Sequence, residues 1–146
     1  MSLRRPVLAV AAALTLVGAA GCSSEPADSV LELQVGDCAN QSDLQGDQIE
    51  SVPAVECSEE HDAEIFAEHV FTEDEFPGDD AVQAKSEDVC TAKFEEFIGV
   101  PFMESQIQMT MLRPTQDSWD NGDDRTTLCV VLSEEPMTGS LEGAGV

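Results

Sequence analysis

Four cysteines constrain the fold of this 146-residue chain more than any other feature of its sequence. They are Cys38, Cys57, Cys90 and Cys129, and an even number of cysteines in a small exported domain predicts two disulfides. Three pairings are open, and we favour Cys38–Cys57 with Cys90–Cys129 because nested strands bring near neighbours together first. Chain entropy assigns loops of about 20 and 40 residues roughly 3 to 4 kcal/mol of stabilisation each. A four-cysteine zinc site would need C-x-x-C pairs, which the sequence lacks.

The amino-terminal residues predict export from the cytoplasm. Arg4 and Arg5 give a positive start, residues 7–20 form an apolar run, and small residues lead up to Cys22. This pattern is typical of a secretory signal peptide and is too short to span a bilayer comfortably. A cysteine in this place resembles a bacterial lipobox, in which the thiol receives a diacylglyceryl group. Two acyl chains give stable anchoring at about 0.8 kcal/mol per buried methylene, so we expect a lipoprotein attached through Cys22 to the outer face of the cell membrane.

The chain after Cys22 is strongly acidic. All 30 acidic residues lie there against four basic residues, so the processed chain carries a net charge of −26. A nucleic-acid partner needs a basic footprint, and this charge excludes one. The same charge repels an anionic lipid surface over about 8 Å at physiological salt. We therefore expect the domain to stand off the membrane that anchors it.

The length of the chain bounds its domain organisation. We predict a signal peptide over residues 1–21, a lipidated polar tether over residues 22–29 and a single domain over residues 30–146. After processing, about 125 residues remain, which suffice for one modest core and not for two.

Hydrophobic periodicity predicts an α+β fold, with a small antiparallel sheet packed on one main helix. The helix is expected over residues 80–100, where Asp79 or Asp80 caps it and Gly99 ends it. Residues 61–71 fit either a helix or a strand, and residues 115–124 read as a loop with an Asn-Gly turn. Alternating apolar residues predict short strands in four segments: 29–38, 49–57, 106–114 and 125–132.

Dispersed motifs resemble the septum-formation family of actinobacterial envelope proteins, from Val35 to Gly143. They include "VGDC" at 35–38, "VPAVECSEEHDAEIFA" at 52–67, "FPG" at 76–78, "RPTQDSW" at 113–119 and "TGSL" at 138–141. Glu60 departs from the family pattern, in which Pro usually precedes the His-Asp pair. The resemblance implies an extracytoplasmic domain associated with septum formation, without an established reaction. It also implies a strand at 61–71.

Both histidines lie among carboxylates in "CSEEHDAEIFAEH", but they do not form a metal site. His61 and His69 would be about 26 Å apart on a strand and about 12 Å apart on a helix, so neither geometry lets them share one zinc ion. The acidic loop at 117–128 is not an EF-hand either, because Trp119 and Leu128 occupy ligand positions. Motifs of hydrolases and metalloproteases are missing from the sequence. We assign no catalytic residue, metal ligand or cofactor.

Trp119 has two interpretations. It is either a lid packed over the core or an exposed contact to a partner protein, since Trp is enriched in protein interfaces. We expect Arg125 to neutralise Asp123 or Asp124 rather than bind a ligand. The leading functional hypothesis is a non-enzymatic binding module, anchored to the membrane by lipid, whose partner is an unidentified envelope or division protein. The alternative is a protein that binds calcium or a small ligand.

Overall fold

The computed structural model describes residues 28–46 and 49–146. The predicted signal peptide and Cys22 lie outside these residues. Three two-residue strands and two 3₁₀ turns begin the described chain, and longer strands and one long helix follow. The elements are β1 (Asp28–Ser29), β2 (Cys38–Ala39), β3 (Ser51–Val52), β4 (His61–Val70), α1 (Asp79–Ile98), β5 (Gln108–Leu112), α2 (Gln116–Gly122) and β6 (Thr126–Met137).

The main sheet has four strands in the order β2–β4–β6–β5, and every neighbouring pair is antiparallel. β1 pairs with β3 in a separate two-stranded sheet, so the ordered fold already includes the last two residues of the predicted tether. Together with α1 and two disulfides, this confirms the predicted α+β fold of a small antiparallel sheet and one main helix.

A β-bulge shapes β4. Ile65 lies opposite Val130 and Ala67 lies opposite Cys129, so Phe66 is an extra residue in the ladder. The bulge places Phe66 and Ala67 on the same face of the sheet, where both join one core cluster. Residues 61–70 are therefore a strand, as the family resemblance implied.

Both faces of the sheet are covered. On one face the amino-terminal segment packs over Ala63, Ile65 and Val130, and we call this the amino-terminal face. On the other face α1 packs over Phe66 and Val131, and we call this the helix face. β6 lies between β4 and β5 and is buried on both sides, because its alternate residues enter the two clusters in turn.

α1 buries a stripe of side chains spaced four residues apart: Val82, Ser86, Cys90, Phe94 and Ile98. The helix ends at Gly99, which has φ 96° and donates its backbone N–H to Glu95 O at 3.0 Å. Asp79 and Asp80 lie in the first turn, and Gly78 is the cap residue. Their carboxylates stabilise the positive end of the helix dipole there, in place of the capping role expected for them.

Several segments differ from their predicted structure. Of the strand predicted over residues 49–57, the structure forms only β3, and β6 continues to Met137, five residues beyond its predicted end. Residues 30–32 form a 3₁₀ turn instead of a strand, because Ser29 and Glu32 form a capping box. Residues 116–122 form the short helix α2 instead of a loop, because the Thr115 side chain accepts a hydrogen bond from the Ser118 backbone N–H. The Asn-Gly pair expected to form a turn lies in the last turn of this helix.

Both disulfides have the favoured pairing. Cys38–Cys57 joins β2 to the loop after β3, and Cys90–Cys129 joins α1 to β6, with Cα atoms 5.3 and 5.5 Å apart. The carboxyl-terminal segment is held by the buried Glu64, which accepts hydrogen bonds from Ser140 Oγ at 2.6 Å and Leu141 N at 2.8 Å. The segment after β6 is therefore packed against the helix face rather than extended into solvent.

Candidate interaction site

An open cleft lies between the amino-terminal segment and the corner where β5, α2 and β6 meet. We call it the amino-terminal cleft. Its volume is about 1170 Å³, above the usual range of small-molecule pockets. Three parts of the chain supply its apolar lining: Val30, Leu31, Leu33 and Ile49 from the amino-terminal segment, Met111 and Leu112 from β5, and Leu128 from β6. Most of these residues also pack on the amino-terminal face, so the cleft is an opening into one side of the core.

Strand register and one turn position the cleft residues. Leu128 lies opposite Leu112 on one side and opposite Glu68 on the other, so the three form a row across the sheet. The capping box at Ser29 holds the turn that carries Leu31, which is 54% exposed. A Cβ atom at Gly122 would lie 3.8 Å from Leu31 Cδ1, so this turn closely approaches the end of α2.

Negative charge surrounds the cleft. Arg113 and Arg125 are the basic residues of its lining. Arg113 is exposed, and it forms no ion pair with any residue that the structure describes. Six acidic residues line the same cleft: Glu32, Glu50, Glu68, Asp117, Asp123 and Asp124. The field at the rim therefore favours cations over anions.

Arg125 is engaged within the protein. Its guanidinium donates to Trp119 O at 2.8 Å and Asp124 O at 3.1 Å, and it lies 3.5 Å from Asp123 Oδ1. It also lies over the Trp119 ring, 4.1 Å from the centroid, in a cation–π contact. The expectation that Arg125 neutralises a neighbouring acid agrees with this geometry.

Trp119 lies in the core and not on a surface open to a partner. It is 2% exposed and packs edge-on against Phe71 and Phe76. Its indole N–H donates to Asp74 O at 3.3 Å. The candidate partner contact at Trp119 is therefore corrected: this side chain closes the end of the core beside α1, because its ring is enclosed on all sides.

The two histidines lie at opposite ends of β4. His61 is buried, and its Nδ1 lies 2.9 Å from Glu59 O, which requires the proton on Nδ1. His69 is partly exposed, with its ring 4.8 Å from that of Phe71. Among residues 28–46 and 49–146, no three His, Cys, Asp or Glu side chains are grouped to hold a metal ion. The segment that contains both histidines thus contributes a strand with a buried first residue, His61, and one buried carboxylate, Glu64.

The arrangement of the cleft suits one kind of occupant. An apolar interior can bury aliphatic side chains, and a carboxylate rim can pair with cations. Lys and Arg satisfy both needs, since their stems lie along apolar surface while the charged end stays in water. A segment that is apolar in the middle and basic at its ends therefore complements the cleft.

Sequence reasoning did not identify the residues of this cleft. Leu31, Leu112 and Arg113 come from three separate elements, and no motif links them. A signal was nevertheless present in the charge pattern. Residues 105–116 form the longest stretch after Cys22 without an acidic residue, and they include β5 and one wall of the cleft.

Comparison with known proteins gives one match. The model of the family described as septum formation matches residues 26–145. Neither curated proteins nor solved structures gave a match. Within the described part of the chain, no helix has the length and apolar character needed to cross a membrane.

Proposed function

The chain belongs to the septum-formation family, and on that premise we propose that it is a lipid-anchored binding module on the extracytoplasmic face of the cell membrane. In this proposal its role is to contact another envelope or division protein, without catalysing a reaction. The amino-terminal cleft is the observation that carries the proposal, because it combines an apolar interior with an acidic rim. Protein interfaces commonly have this plan, an apolar centre surrounded by polar groups.

The position of the cleft supports a partner close to the membrane. Five residues lie between Cys22 and Asp28, so the two are at most about 20 Å apart even in a fully extended chain. Ser29 and Val30 line the cleft directly after this segment. If Cys22 carries the lipid, the cleft opens within that distance of the bilayer surface. A membrane-bound protein could then reach it without crossing the cell-wall space.

The buried polar side chains support a role other than catalysis. Glu64 holds the carboxyl-terminal segment, Ser86 bonds Thr127 at 2.7 Å, and His61 bonds the Glu59 carbonyl. Among the described residues these are the polar side chains of the core, and none of them lines the cleft. The bonds of Glu64 and of Ser86 with Thr127 join separate elements of the fold, which is a structural use of polar groups. The His61 bond is local to the start of β4, and its Nε2 atom has no hydrogen-bond partner among the described residues.

The test is the position of fluorescent fusions in dividing cells. The tag follows Val146 through a flexible linker, because Gly143 and Gly145 donate hydrogen bonds to the end of α1. We expect septal enrichment of the native chain and its loss in Cys22→Ala. Leu31→Glu should also abolish enrichment, since it places a charge in the cleft.

Val35→Glu is the matched control, because Val35 is 49% exposed and lies outside the cleft. It should keep the septal pattern. An even envelope distribution of the native chain would contradict the division role, and septal enrichment of Leu31→Glu would contradict the cleft as the contact site. Unfolding midpoints of both variants show whether either effect comes from misfolding.

Two measurements test the other parts of the proposal. Hydrolysis of cell-wall material by the purified chain, abolished by one acidic substitution, would show an enzyme. Saturable, stoichiometric binding of calcium or zinc in calorimetry would instead favour the alternative of a cation-binding protein.

A further inference from the structure

β5 is an open edge of the main sheet. Its five residues pair with β6 in one continuous register from Gln108 to Leu112, and no described strand pairs with its other side. In an antiparallel edge strand, alternate residues direct their N–H and C=O groups away from the sheet. The opposite edge differs, because β2 has two residues and Cys38 bridges to Val55 beyond it. β5 is thus the edge at which another strand can be added.

The usual protection of an open edge is missing from β5. Natural edge strands are blunted by charged side chains, bulges or proline within the strand. None of these occurs between Gln108 and Leu112. The nearest charged residue after the strand is Arg113, and the nearest before it is Glu104. Residues 105–112 form a run of eight uncharged residues in a chain with 30 acidic residues, so no charge within this run protects the open edge.

Flexible apolar side chains line the same edge. Met109 and Met111 lie in β5 and are partly buried against the helix-face cluster. They are two of the four methionines after Cys22. Methionine adapts its shape to different neighbours and is frequent at surfaces that accept varied partners. An added strand would cover side chains that the fold leaves half in water.

We propose that β5 receives an extended segment of a partner protein as a fifth strand of the main sheet. This inference rests on the proposed binding function and adds the mode of recognition. The β5 backbone supplies the hydrogen bonds, and alternate partner side chains pack on the two faces of the sheet. A partner segment that pairs with all five residues of β5 spans about 17 Å.

Charge identifies the chemistry of the partner segment. Met111, Leu112 and Arg113 belong to β5 or follow it, and they also line the amino-terminal cleft. A strand on β5 therefore continues into the acidic rim of that cleft. The segment that fits is apolar along β5 and basic beyond Arg113, where it reaches Asp117 and the other carboxylates of the rim. A second copy of this chain fits less well, because the two copies would bring two strongly acidic surfaces together.

The experiment measures binding of two synthetic peptides to the full-length chain purified in detergent. Both have seven alternating valine and threonine residues; one is flanked by lysine pairs and the other by glutamate pairs. We expect the lysine-flanked peptide to bind at millimolar concentration or below, at least tenfold more tightly than the glutamate-flanked one. Amide exchange at residues 108–112 should slow when it binds. Thr110→Lys should weaken binding at least tenfold, and the neutral Thr110→Val should leave it within twofold.

Several results would overturn the inference. Slowed exchange confined to other strands, or no binding at millimolar peptide, excludes β5 as the docking edge. Slowed exchange at β5 that grows with protein concentration, without peptide, identifies a second copy as the occupant instead. Imaging of the fluorescent fusions distinguishes a failure of this inference from a failure of the proposed binding function. If Leu31→Glu loses septal enrichment while Thr110→Lys keeps it, the binding function stands and the β5 edge is not its site. If the native chain is evenly distributed while the peptide binds β5, the division role is contradicted, and β5 still stands as the docking edge.

Discussion

Removing the Cys90–Cys129 disulfide should destabilise the domain more than removing Cys38–Cys57. The two loops differ in length, with sequence separations of 39 and 19 residues. Chain entropy alone gives about 3.9 and about 3.3 kcal/mol, a small difference. The different surroundings of the two disulfides widen this difference in stabilisation. Cys90 and Cys129 are both fully buried in the helix-face cluster, whereas Cys57 is partly exposed.

The packing contribution can be estimated from the lost volume. Replacing both buried cysteines by alanine removes two sulfur atoms, roughly 40 Å³, which costs about 1 kcal/mol at ~24 cal/mol per Å³ of cavity. The C90A/C129A variant should therefore lose about 5 kcal/mol, and C38A/C57A about 3 kcal/mol. With an unfolding entropy near 0.25 kcal/mol per degree for about 120 residues, the melting temperatures should fall by about 20 and about 13 °C.

The assay is thermal unfolding of the Cys22→Ala chain, which has no other free thiol once both disulfides form. Trp119 is the lone tryptophan and is buried, so its emission reports loss of the core. Circular dichroism provides the second signal, and reduction of the parent chain should lower its melting temperature at least as far as C90A/C129A does. The reasoning would be refuted if the melting temperature of C38A/C57A fell as far as that of C90A/C129A, or farther. An unchanged midpoint after reduction would show that the cysteines are unpaired.

Three further substitutions test single features of the fold. Phe94→Ala should cost about 3 to 5 kcal/mol in urea unfolding, because Phe94 is fully buried between α1 and the sheet, while Glu95→Ala on the exposed side should stay within about 0.5 kcal/mol. Glu64→Gln should lower the free energy of unfolding by about 1.5 to 3 kcal/mol, because the amide weakens two hydrogen bonds that the buried carboxylate accepts. Equal urea midpoints for the variant and the native chain would show that these bonds are dispensable. Asp123→Gly should raise stability by about 0.5 kcal/mol, because Asp123 ends α2 at φ 52°, where glycine is unstrained. The exposed ion pair that the substitution removes contributes little. A lower melting temperature of the variant would contradict this prediction.

The predictable parts of the fold are those where one period dominates. The helix and β5 each follow a single hydrophobic period, and their bounds fall close to the predicted ones. β6 begins where predicted but continues five residues farther, to Met137, because its polar end still pairs with β4. β4 was ambiguous for a physical reason. Its bulge at Phe66 places two consecutive residues on one face, which breaks the alternation of a strand and imitates helical spacing. A single sequence does not mark such an insertion, and the family resemblance was needed to interpret it.

The missed elements are those that local hydrogen bonds determine. Ser29 and Glu32 fit the S-x-x-E pattern of a capping box, which indicates a helical turn, but the alternation of neighbouring leucine and valine residues favoured a strand. Thr115 likewise begins α2 with Ser118 as its partner, while the Asn-Gly pair suggested a loop. The amino-terminal cleft was unpredictable because its walls come from segments far apart in sequence, and only the fold brings them together.

The central place of β6 determines the order in which the chain can fold. A chain that emerges amino end first, from a ribosome or through a membrane pore, exposes Cys38 and Cys57 while β6 is still hidden. Because β6 separates β4 from β5, most of the sheet has to wait for the last residues. The first cysteine pair can close during this delay, which leaves Cys90 and Cys129 with only each other. Vectorial emergence thus favours the connectivity that the structure has, and the sheet is completed late, when β6 arrives.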